Sequence, residues 1–263
     1  MMQKSEVVNF LMDVIRRYEQ LCLRYNPSAK IERKTWDIPM GKLDVSISSG
    51  EQFDKASMIY CDLKIDTPPV LAEKLGQKGS KADAMVLELH FFPINPFIPK
   101  AYIELRANIT DKVVFAGGTD IKSYYSNEED EKYFADGIKE LCKRHGKDYE
   151  ELRQVRANFF KSKYTNKKVG AHAGIYSFHL EESDYPFMKD MADTFIKLYF
   201  DLVEKCKGQK FTQNDIDYKL KQHGAWVQWT LLEDSGTIFG IEKGIPAEAL
   251  LGAILPPTAK FFP

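Results

Sequence analysis

The hydrophobic pattern of the chain begins with a helical repeat. Over residues 5–25, apolar residues such as Val7, Phe10 and Val14 recur every three or four positions, which places them on one side of an amphipathic helix. A membrane-surface helix would need a continuous basic face, and acidic residues interrupt that face here. The pattern therefore predicts a helix that packs on a protein core and ends at Asn26-Pro27.

After this helix the pattern changes to one typical of strands. Runs of apolar, β-branched and aromatic residues, several of them alternating with polar ones, occupy residues 42–50, 57–66, 84–92, 100–108 and 112–118. Two later segments, residues 170–180 and 225–234, have the same character. Thr67-Pro68-Pro69 opens a short helical segment that ends near Gly76, and Ser235-Gly236 predicts a turn before residues 237–242.

Helix-end signals predict four helices in the second half of the chain. Their starts are marked by Ser126 with Glu129, Asp148 with Glu151, Ser183 with Pro186, and Thr212 with Asp215. They end at Gly146, near Lys161 and Lys163, at Gly208 and at His223-Gly224, and residues 246–257 predict a short apolar helix. About seven strands that cluster early, without regular β-α-β alternation, indicate an α+β fold with a mostly antiparallel sheet covered by helices. We expect a single domain over residues 1–263.

Charge and composition exclude several classes of protein. The 37 Lys and Arg residues balance 38 Asp and Glu residues, whereas a nucleic-acid partner would require a basic excess. The chain has no apolar run of about 18 residues, so no membrane span is predicted. The first residues lack the features of a secretory signal. The four cysteines are scattered without C-x-x-C spacing, which favours reduced, buried thiols in a cytoplasmic protein.

The common catalytic and nucleotide-binding motifs are absent from the sequence. It contains no P-loop, no G-x-G-x-x-G that opens a helix, no G-x-S-x-G and no H-E-x-x-H. None of these motifs therefore indicates the function of the chain.

Several blocks of residues, in order along the chain, resemble the oxygen-dependent coproporphyrinogen III oxidases. They are Asn95-Pro96-x-x-Pro99, a strand ending at Arg106, Phe115-x-Gly117-Gly118-x-Asp120-x-x-x-Tyr124-Tyr125, Glu129-Asp130, and Leu141-Cys142-x-x-His145-Gly146. An earlier block contains Trp36 and Gly50-x-x-Phe53-x-Lys55-Ala56, and a later one runs from Gly236 to Pro257. The resemblance extends from about Trp36 to Pro257.

This resemblance implies both a fold and a reaction. The fold is a flat, roughly seven-stranded antiparallel sheet between helices, with a deep cleft for a tetrapyrrole and a homodimer formed through the C-terminal block. The reaction is the oxidative decarboxylation of two propionates to vinyl groups. Molecular oxygen is the co-substrate, and neither a metal nor an organic cofactor is expected.

The chain departs from the family at the residues expected in the cleft. Phe92 and Tyr102 stand where the family has histidines, and Glu104 stands for an asparagine. His179 replaces an acidic residue, and Pro246 replaces an arginine expected on a substrate carboxylate. These changes indicate a pocket that is richer in aromatic residues and poorer in histidine than those of its relatives.

The spacing of polar residues predicts one wall of this cleft. Tyr102, Glu104 and Arg106 are two residues apart, so they share one side of their strand. The same argument applies to Glu88, His90 and Phe92 on the preceding strand, and the resemblance makes this side the one that faces substrate. The catalytic candidates are Arg106, Asp120, Tyr102, Glu104 and His179, and the substrate-binding candidates are Glu88, His90, Phe92, Asn95, Gly118, His172 and Gly244.

Each of the main candidates has a functional and a structural interpretation. Arg106 could bind a substrate carboxylate with two hydrogen bonds, or form a salt bridge with Glu104 or Asp120. Asp120 is expected at the rim of the cleft, where it would accept pyrrole N–H groups or act as a base, or else belong to a turn. His172 and His179 lie seven apart and should face opposite sides of their strand. His179 could move protons near neutral pH, or be structural.

A metal site is a further hypothesis. Glu88, His90 and Glu104, on adjacent strands, could bind a non-haem metal such as iron. The simpler alternative is that they act as acid–base or hydrogen-bonding groups.

Two functions follow from these observations. The first is an enzyme that carries out an oxygen-dependent oxidation or decarboxylation of a tetrapyrrole or a related acidic molecule. The alternative is a non-catalytic carrier or sensor that binds a tetrapyrrole or haem on the same scaffold.

Overall fold

The computed structural model describes residues 2–66, 81–125, 127–164, 169 and 173–261. The strands are β1 (Glu32–Ile38), β2 (Gly41–Ser48), β3 (Phe53–Asp66), β4 (Lys81–Pro93), β5 (Lys100–Ile109), β6 (Val113–Lys122) and β7 (Ile175–Leu180). The helices are α1 (Lys4–Tyr25), α2 (Glu128–Arg144), α3 (Tyr149–Phe159), α4 (Tyr185–Cys206), α5 (Gln213–Leu232), α6 (Ser235–Glu242) and α7 (Ala247–Ile254). A single 3₁₀ turn, Glu182–Asp184, precedes α4.

The seven strands form one antiparallel sheet in chain order, from β1 to β7. The α+β fold with a flat, roughly seven-stranded antiparallel sheet is therefore confirmed. Every neighbouring pair of strands is consecutive in sequence, although α2 and α3 lie between β6 and β7, and the register of each pair sets each residue's partner across the sheet. On β4 and β5 this register sets Glu88 opposite Glu104 and His90 opposite Tyr102.

The two faces of the sheet have different covers. Leu87, Leu89, Ile103 and Leu105 point to one face and pack with α1, α2 and α4 in the largest hydrophobic core of the described residues. The alternate residues of β4 and β5 point to the other face, because side chains in a strand alternate between its two sides. This second face is covered by α7 over β2 and β3, and by α5 near Tyr102.

The prediction of a strand over residues 225–234 is wrong. Helix α5 continues through His223-Gly224 to Leu232, and buries Trp226 and Trp229 on the same side. Gly224 does not end the helix: a Cβ at this position would lie 2.1 Å from the carbonyl oxygen of Lys260, so the missing side chain allows a close backbone contact. Residues 237–242 belong to α6, whose first turn is capped by the carboxylate of Asp234.

Strand β1 was missed by the prediction because it lies at the edge of the sheet. Its seven residues are mostly exposed, so they lack the apolar alternation that marks the inner strands. The expected strand over residues 170–180 is observed as β7 from Ile175 onward, and residues 170–172 lie outside the described part. The short helix expected from Thr67 to Gly76 also lies outside it.

Most of the helix-end predictions agree with the structure. The carboxylate of Asp148 accepts from the backbone N–H of Glu151, and Thr212 and Asp215 form a reciprocal capping box. The cap of α2 is Asn127, whose side chain accepts from the N–H of Asp130. Ser126, the predicted cap, is outside the described residues.

The structure also tests the predictions about membrane spans and cysteines. Within the described ranges, no helix is both long and apolar enough to cross a membrane. All four cysteines are buried and have free thiols.

Candidate functional site

A cavity of about 430 Å³ lies between the second face of the sheet and its helical cover. Strands β3, β4, β5 and β7 form its floor, and α3, α5, α6 and α7 contribute to its walls. Glu88, His90, Tyr102, Glu104 and Arg106 all line it. The structure thus brings together the polar wall that the two-residue spacing predicts.

A hydrogen-bonded group of three residues occupies the centre of this wall. The guanidinium of Arg106 forms an ion pair with Glu104, with 2.5 Å between Nη2 and Oε1. The hydroxyl of Tyr176, on β7, donates to the same carboxylate at 3.2 and 3.1 Å. Burial raises the pKa of Glu104, although the positive charge of Arg106 acts in the opposite direction.

Glu88 and His90 form a second polar pair on β4. His90 Nε2 lies 3.0 Å from Glu88 Oε2, and the imidazole stacks between the rings of Phe92 and Tyr102. Burial lowers the pKa of His90 to about 3, so the imidazole is neutral near pH 7. Burial, followed by the nearby charge of Asp234, raises the pKa of Glu88 to about 7. Glu88 can therefore exchange a proton near neutral pH, whereas His90 cannot.

The cover carries one more carboxylate and a group of aromatic rings. Asp234 lies in the cavity wall and accepts from the N–H groups of Gly236 and Thr237 at the start of α6. Trp226 and Trp229 of α5 pack against Phe160 at ring-centroid distances of 5.7 and 4.4 Å. The cavity therefore has a charged floor on the sheet and a largely aromatic wall opposite it.

Arg156 is a cavity residue that the sequence-based analysis missed. It projects from α3 and is 1% exposed, with its guanidinium carbon 3.3 Å from the centre of the Phe160 ring and 4.2 Å from that of Tyr102. Burial lowers the pKa of Arg156. A signal for it exists in the sequence: Arg156 follows Tyr149 by seven residues and so lies on the buried side of the helix.

Asp120 has a different environment from the one expected. It lies within β6 rather than in a turn at the rim, and it is buried. One carboxylate oxygen accepts from the N–H groups of Ile121, Ala173 and Gly174, the last at 2.7 Å. The other oxygen lies 3.9 Å from Nε of Arg156. Asp120 thus connects β6 to the segment that precedes β7.

Gly118 separates two residues of the polar wall. It is paired with Glu104 on one side and with Tyr176 on the other. A Cβ at Gly118 would lie 2.1 Å from the carbonyl oxygen of Ile175. The missing side chain lets β7 approach, and Tyr176 reaches over this position to Glu104. The absence of a side chain at Gly118 therefore allows the contact between Tyr176 and Glu104.

The other substrate-binding candidates lie outside the cavity lining. The amide of Asn95 donates to the backbone carbonyls of Cys206 and Gln209, which anchors the end of α4. Phe92 is buried, and its ring stacks against His90. Gly244 is an exposed residue with φ +87° after α6.

His179 does not line the cavity. His179 Nε2 lies 2.7 Å from Glu181 Oε1 near the surface, so this imidazole is bound away from the cavity. The register between β6 and β7 shifts close to this position, so the simple alternation of sides does not hold there. His172 lies outside the described residues.

The structure also bears on the metal hypothesis. Across residues 2–66, 81–125, 127–164, 169 and 173–261, no three His, Cys, Asp or Glu side chains converge to hold a metal ion. Glu88 is bonded to His90, whereas Glu104 is bonded to Arg106 and Tyr176. The set of Glu88, His90 and Glu104 is therefore not assembled as a metal site.

The fold and the cavity define an α+β protein that builds its pocket on one face of an antiparallel meander. The family model described as coproporphyrinogen III oxidase matches residues 6–262. The chain belongs to the coproporphyrinogen III oxidase family, which confirms the resemblance noted in the sequence.

Individual relatives agree with this assignment. An oxygen-dependent coproporphyrinogen-III oxidase of Francisella philomiragia is 29% identical over 255 residues, which cover 88% of this chain and 82% of the relative. The protein of the same name from Francisella tularensis subsp. holarctica is 29% identical over 226 residues, covering 81% of this chain and 73% of the relative.

Proposed function

We propose that this protein binds a porphyrinogen in the cavity and oxidises it with molecular oxygen. The observation that carries the proposal is the half-buried polar wall of Glu88, Glu104 and Arg106 in a member of this family. A cavity of about 430 Å³ lies within the range of roughly 300–1,000 Å³ that is usual for small-molecule sites.

The arrangement of polar and aromatic groups suits a macrocycle with N–H groups at its centre and carboxylates at its edge. Glu88 and Glu104 face each other across β4 and β5, where two carboxylates can accept pyrrole N–H groups. Arg106 is partly exposed, so the part of its guanidinium not used by Glu104 can bind a propionate. The rings of Trp226 and Phe160 offer apolar surface to the rest of the ligand.

In the proposed reaction a propionate side chain becomes a vinyl group. The bond to the carboxylate breaks and releases CO₂, and the carbon next to the pyrrole ring loses one hydrogen. The two electrons pass to O₂, which takes up two protons and leaves as H₂O₂. Glu88 is the proposed base that accepts a pyrrole proton, because its pKa of about 7 allows proton exchange near neutral pH.

Asp120, Glu104 and Tyr102 have roles here that differ from those implied by the family resemblance. Asp120 is engaged by three backbone N–H groups, so we assign it to holding β6 and β7 together. Glu104 carries a negative charge where the resemblance expects an asparagine, and Tyr102 replaces a histidine. These two changes favour a substrate that differs from that of the relatives in its acidic side chains, and coproporphyrinogen III is the first molecule to test.

Turnover of coproporphyrinogen III in air, followed by chromatography of the products, tests the proposal. We expect vinyl products from the wild-type protein and a loss of about 100-fold or more in Glu88→Gln and Glu104→Gln. The control is Glu150→Gln, an exposed carboxylate on α3 that pairs with Arg153. Binding without product would favour the carrier or sensor, and no binding at all would exclude both functions.

We also propose that the protein forms a homodimer through its C-terminal block. Leu232, Phe239 and Ile241 are large apolar residues that are 40–60% exposed. Exposed apolar side chains such as these become part of a protein–protein contact where they form one patch. Light scattering should give the mass of a dimer, and Leu232→Glu with Ile241→Glu should give that of a monomer.

A further inference from the structure

Arg156 has unused hydrogen-bonding capacity inside the cavity. Its Nε and Nη2 atoms have no hydrogen-bond partner among the described residues. The carboxylate of Asp120 approaches Nε only to 3.9 Å, which is beyond hydrogen-bond length. Arg106 also has an Nε without a partner among the described residues, but one of its Nη atoms forms an ion pair with Glu104. Of the two cavity arginines, Arg156 is thus the one whose charge is less completely neutralised.

Two hydroxyl groups in the same cavity wall share this property. The hydroxyls of Tyr102 and Thr230 are buried, and neither has a hydrogen-bond partner in the described part of the chain. Most buried polar atoms in native proteins are bonded, and exceptions usually mark a missing water, ion or ligand. The residues that carry these unused donors belong to α3, β5 and α5 and all line one cavity, which indicates that a ligand with acceptor atoms belongs there.

We propose that Arg156 is a docking group for a carboxylate of the ligand, with the hydroxyl of Tyr102 as a second donor. A guanidinium presents two parallel N–H groups that match the two oxygens of a carboxylate. The rings of Phe160 and Tyr102 hold its plane in place, so little freedom is lost when the ligand binds.

Arg156 provides a positive charge that the family resemblance leads us to expect at another position. The resemblance leads to an arginine at the position of Pro246, where this sequence has none. Arg156 supplies a cation to the cavity from a different element, α3. The identity of the ligand as a tetrapyrrole rests on the proposed function, whereas the carboxylate subsite rests on the unused donors alone.

The first test uses porphyrin probes. Quenching of the fluorescence of Trp226 and Trp229 reports binding of coproporphyrin III and of its tetramethyl ester, which lacks the carboxylates. We expect the wild-type protein to bind the acid at least 10-fold more tightly than the ester, and Arg156→Met to lose most of this difference. Arg153→Met, an exposed arginine one turn earlier, is the matched control. An unchanged ratio in Arg156→Met would overturn the subsite while leaving the proposed function intact.

The second test does not need a tetrapyrrole. Propionate at about ten times its Kd should raise the Tm of the wild-type protein by roughly 3–5 °C, and that of Arg156→Met by much less. Such a result in a protein that neither binds nor converts porphyrins would support the subsite and exclude the proposed function. No shift with propionate in the wild type, or a larger Arg156-dependent shift with inorganic phosphate, would overturn the carboxylate assignment.

Folding of the variants is controlled separately. Arg156 lies mainly against aromatic rings, and the nearby Asp120 carboxylate keeps its three backbone N–H donors in the Met variant, so this variant should fold, and its Tm without ligand is the baseline for the shift. If Arg156→Met does not fold, Tyr102→Phe replaces it, because this change removes only a hydroxyl without a partner. Tyr102→Phe should keep the Tm and weaken binding of the acid about 3- to 10-fold relative to the ester. Equal binding in Tyr102→Phe and the wild type would contradict the role of the second donor.

Discussion

The hydroxyl of Tyr176 donates to both carboxylate oxygens of Glu104, at 3.2 and 3.1 Å, across an intervening strand. The residue between them is Gly118, which is paired with both. A residue on β7 can thus hold a carboxylate on β5 because β6 has no side chain at that point. Together with Arg106, this contact fixes the carboxylate in the floor of the cavity.

Gly118→Ala should destabilise the sheet at the site. The added Cβ would lie 2.1 Å from the backbone oxygen of Ile175 and 2.7 Å from Cα of Tyr176, and backbone atoms cannot move aside cheaply. We expect a loss of about 1–3 kcal/mol in the free energy of unfolding, measured by urea denaturation. Gly252→Ala, in α7, is the control, since a Cβ there meets no atom within 4 Å. Equal stability of the two variants would show that β6 and β7 are not in close contact.

The contribution of Glu88 to stability should depend on pH. Its pKa is about 7 in the folded protein, against 4.5 for an ordinary glutamate, so the folded state binds more protons than the unfolded chain within this window. The wild-type protein should therefore become less stable, relative to Glu88→Gln, as the pH rises from 4.5 to 7. The expected difference is of order 2–3 kcal/mol, measured as the free energy of unfolding across the range. A difference that is constant with pH would show that Glu88 is not held in a desolvated site.

The activity should depend on the ionisation of the same carboxyl group. If Glu88 accepts a proton from the substrate, kcat/KM should rise with pH and level off above about 7. His90 would not contribute to this profile, because burial lowers its pKa to about 3. Glu88→Asp should retain the rising profile with lower activity, whereas Glu88→Gln should lose it. The same profile in Glu88→Gln would move the base to another residue.

Lys219 should be important for the position of the cavity cover. Its ammonium group, in α5, donates to Asp54 at 2.7 Å and to the carbonyls of Pro93 and Ile94 at 2.9 Å. It is 3% exposed, so Lys219→Met would leave these acceptors without their partner. We expect a loss of about 3–5 kcal/mol in the free energy of unfolding. Lys210→Met, at an exposed position, should change it by less than about 0.5 kcal/mol.

The polar wall could be predicted because it depends on short-range geometry. Alternation along β4 and β5 assigns Glu88, His90, Tyr102 and Glu104 to one face from their numbering alone. The cover could not be predicted in the same way. Trp226 and Trp229 were assigned to a strand, although their spacing of three also fits a helix, and Gly224 was interpreted as a helix end.

Residues whose roles depend on long-range contacts were harder to predict. Asp120 acquires its partners from the segment before β7, more than 50 residues later in the chain. Arg156 looks like an ordinary charged helix residue until the rings of Phe160 and Tyr102 enclose it. Sequence periodicity reports which side of an element a residue takes, but it does not report which distant element covers that side.

The most direct test of the central claim is a single-turnover experiment with coproporphyrinogen III and an equal amount of protein. Parallel samples in air and under argon are analysed by mass spectrometry of the porphyrin products. We predict that in air each converted propionate loses CO₂ and two hydrogen atoms, with one H₂O₂ formed, and that no conversion occurs under argon. Unchanged coproporphyrinogen III in air, in a protein that binds it, would contradict the account.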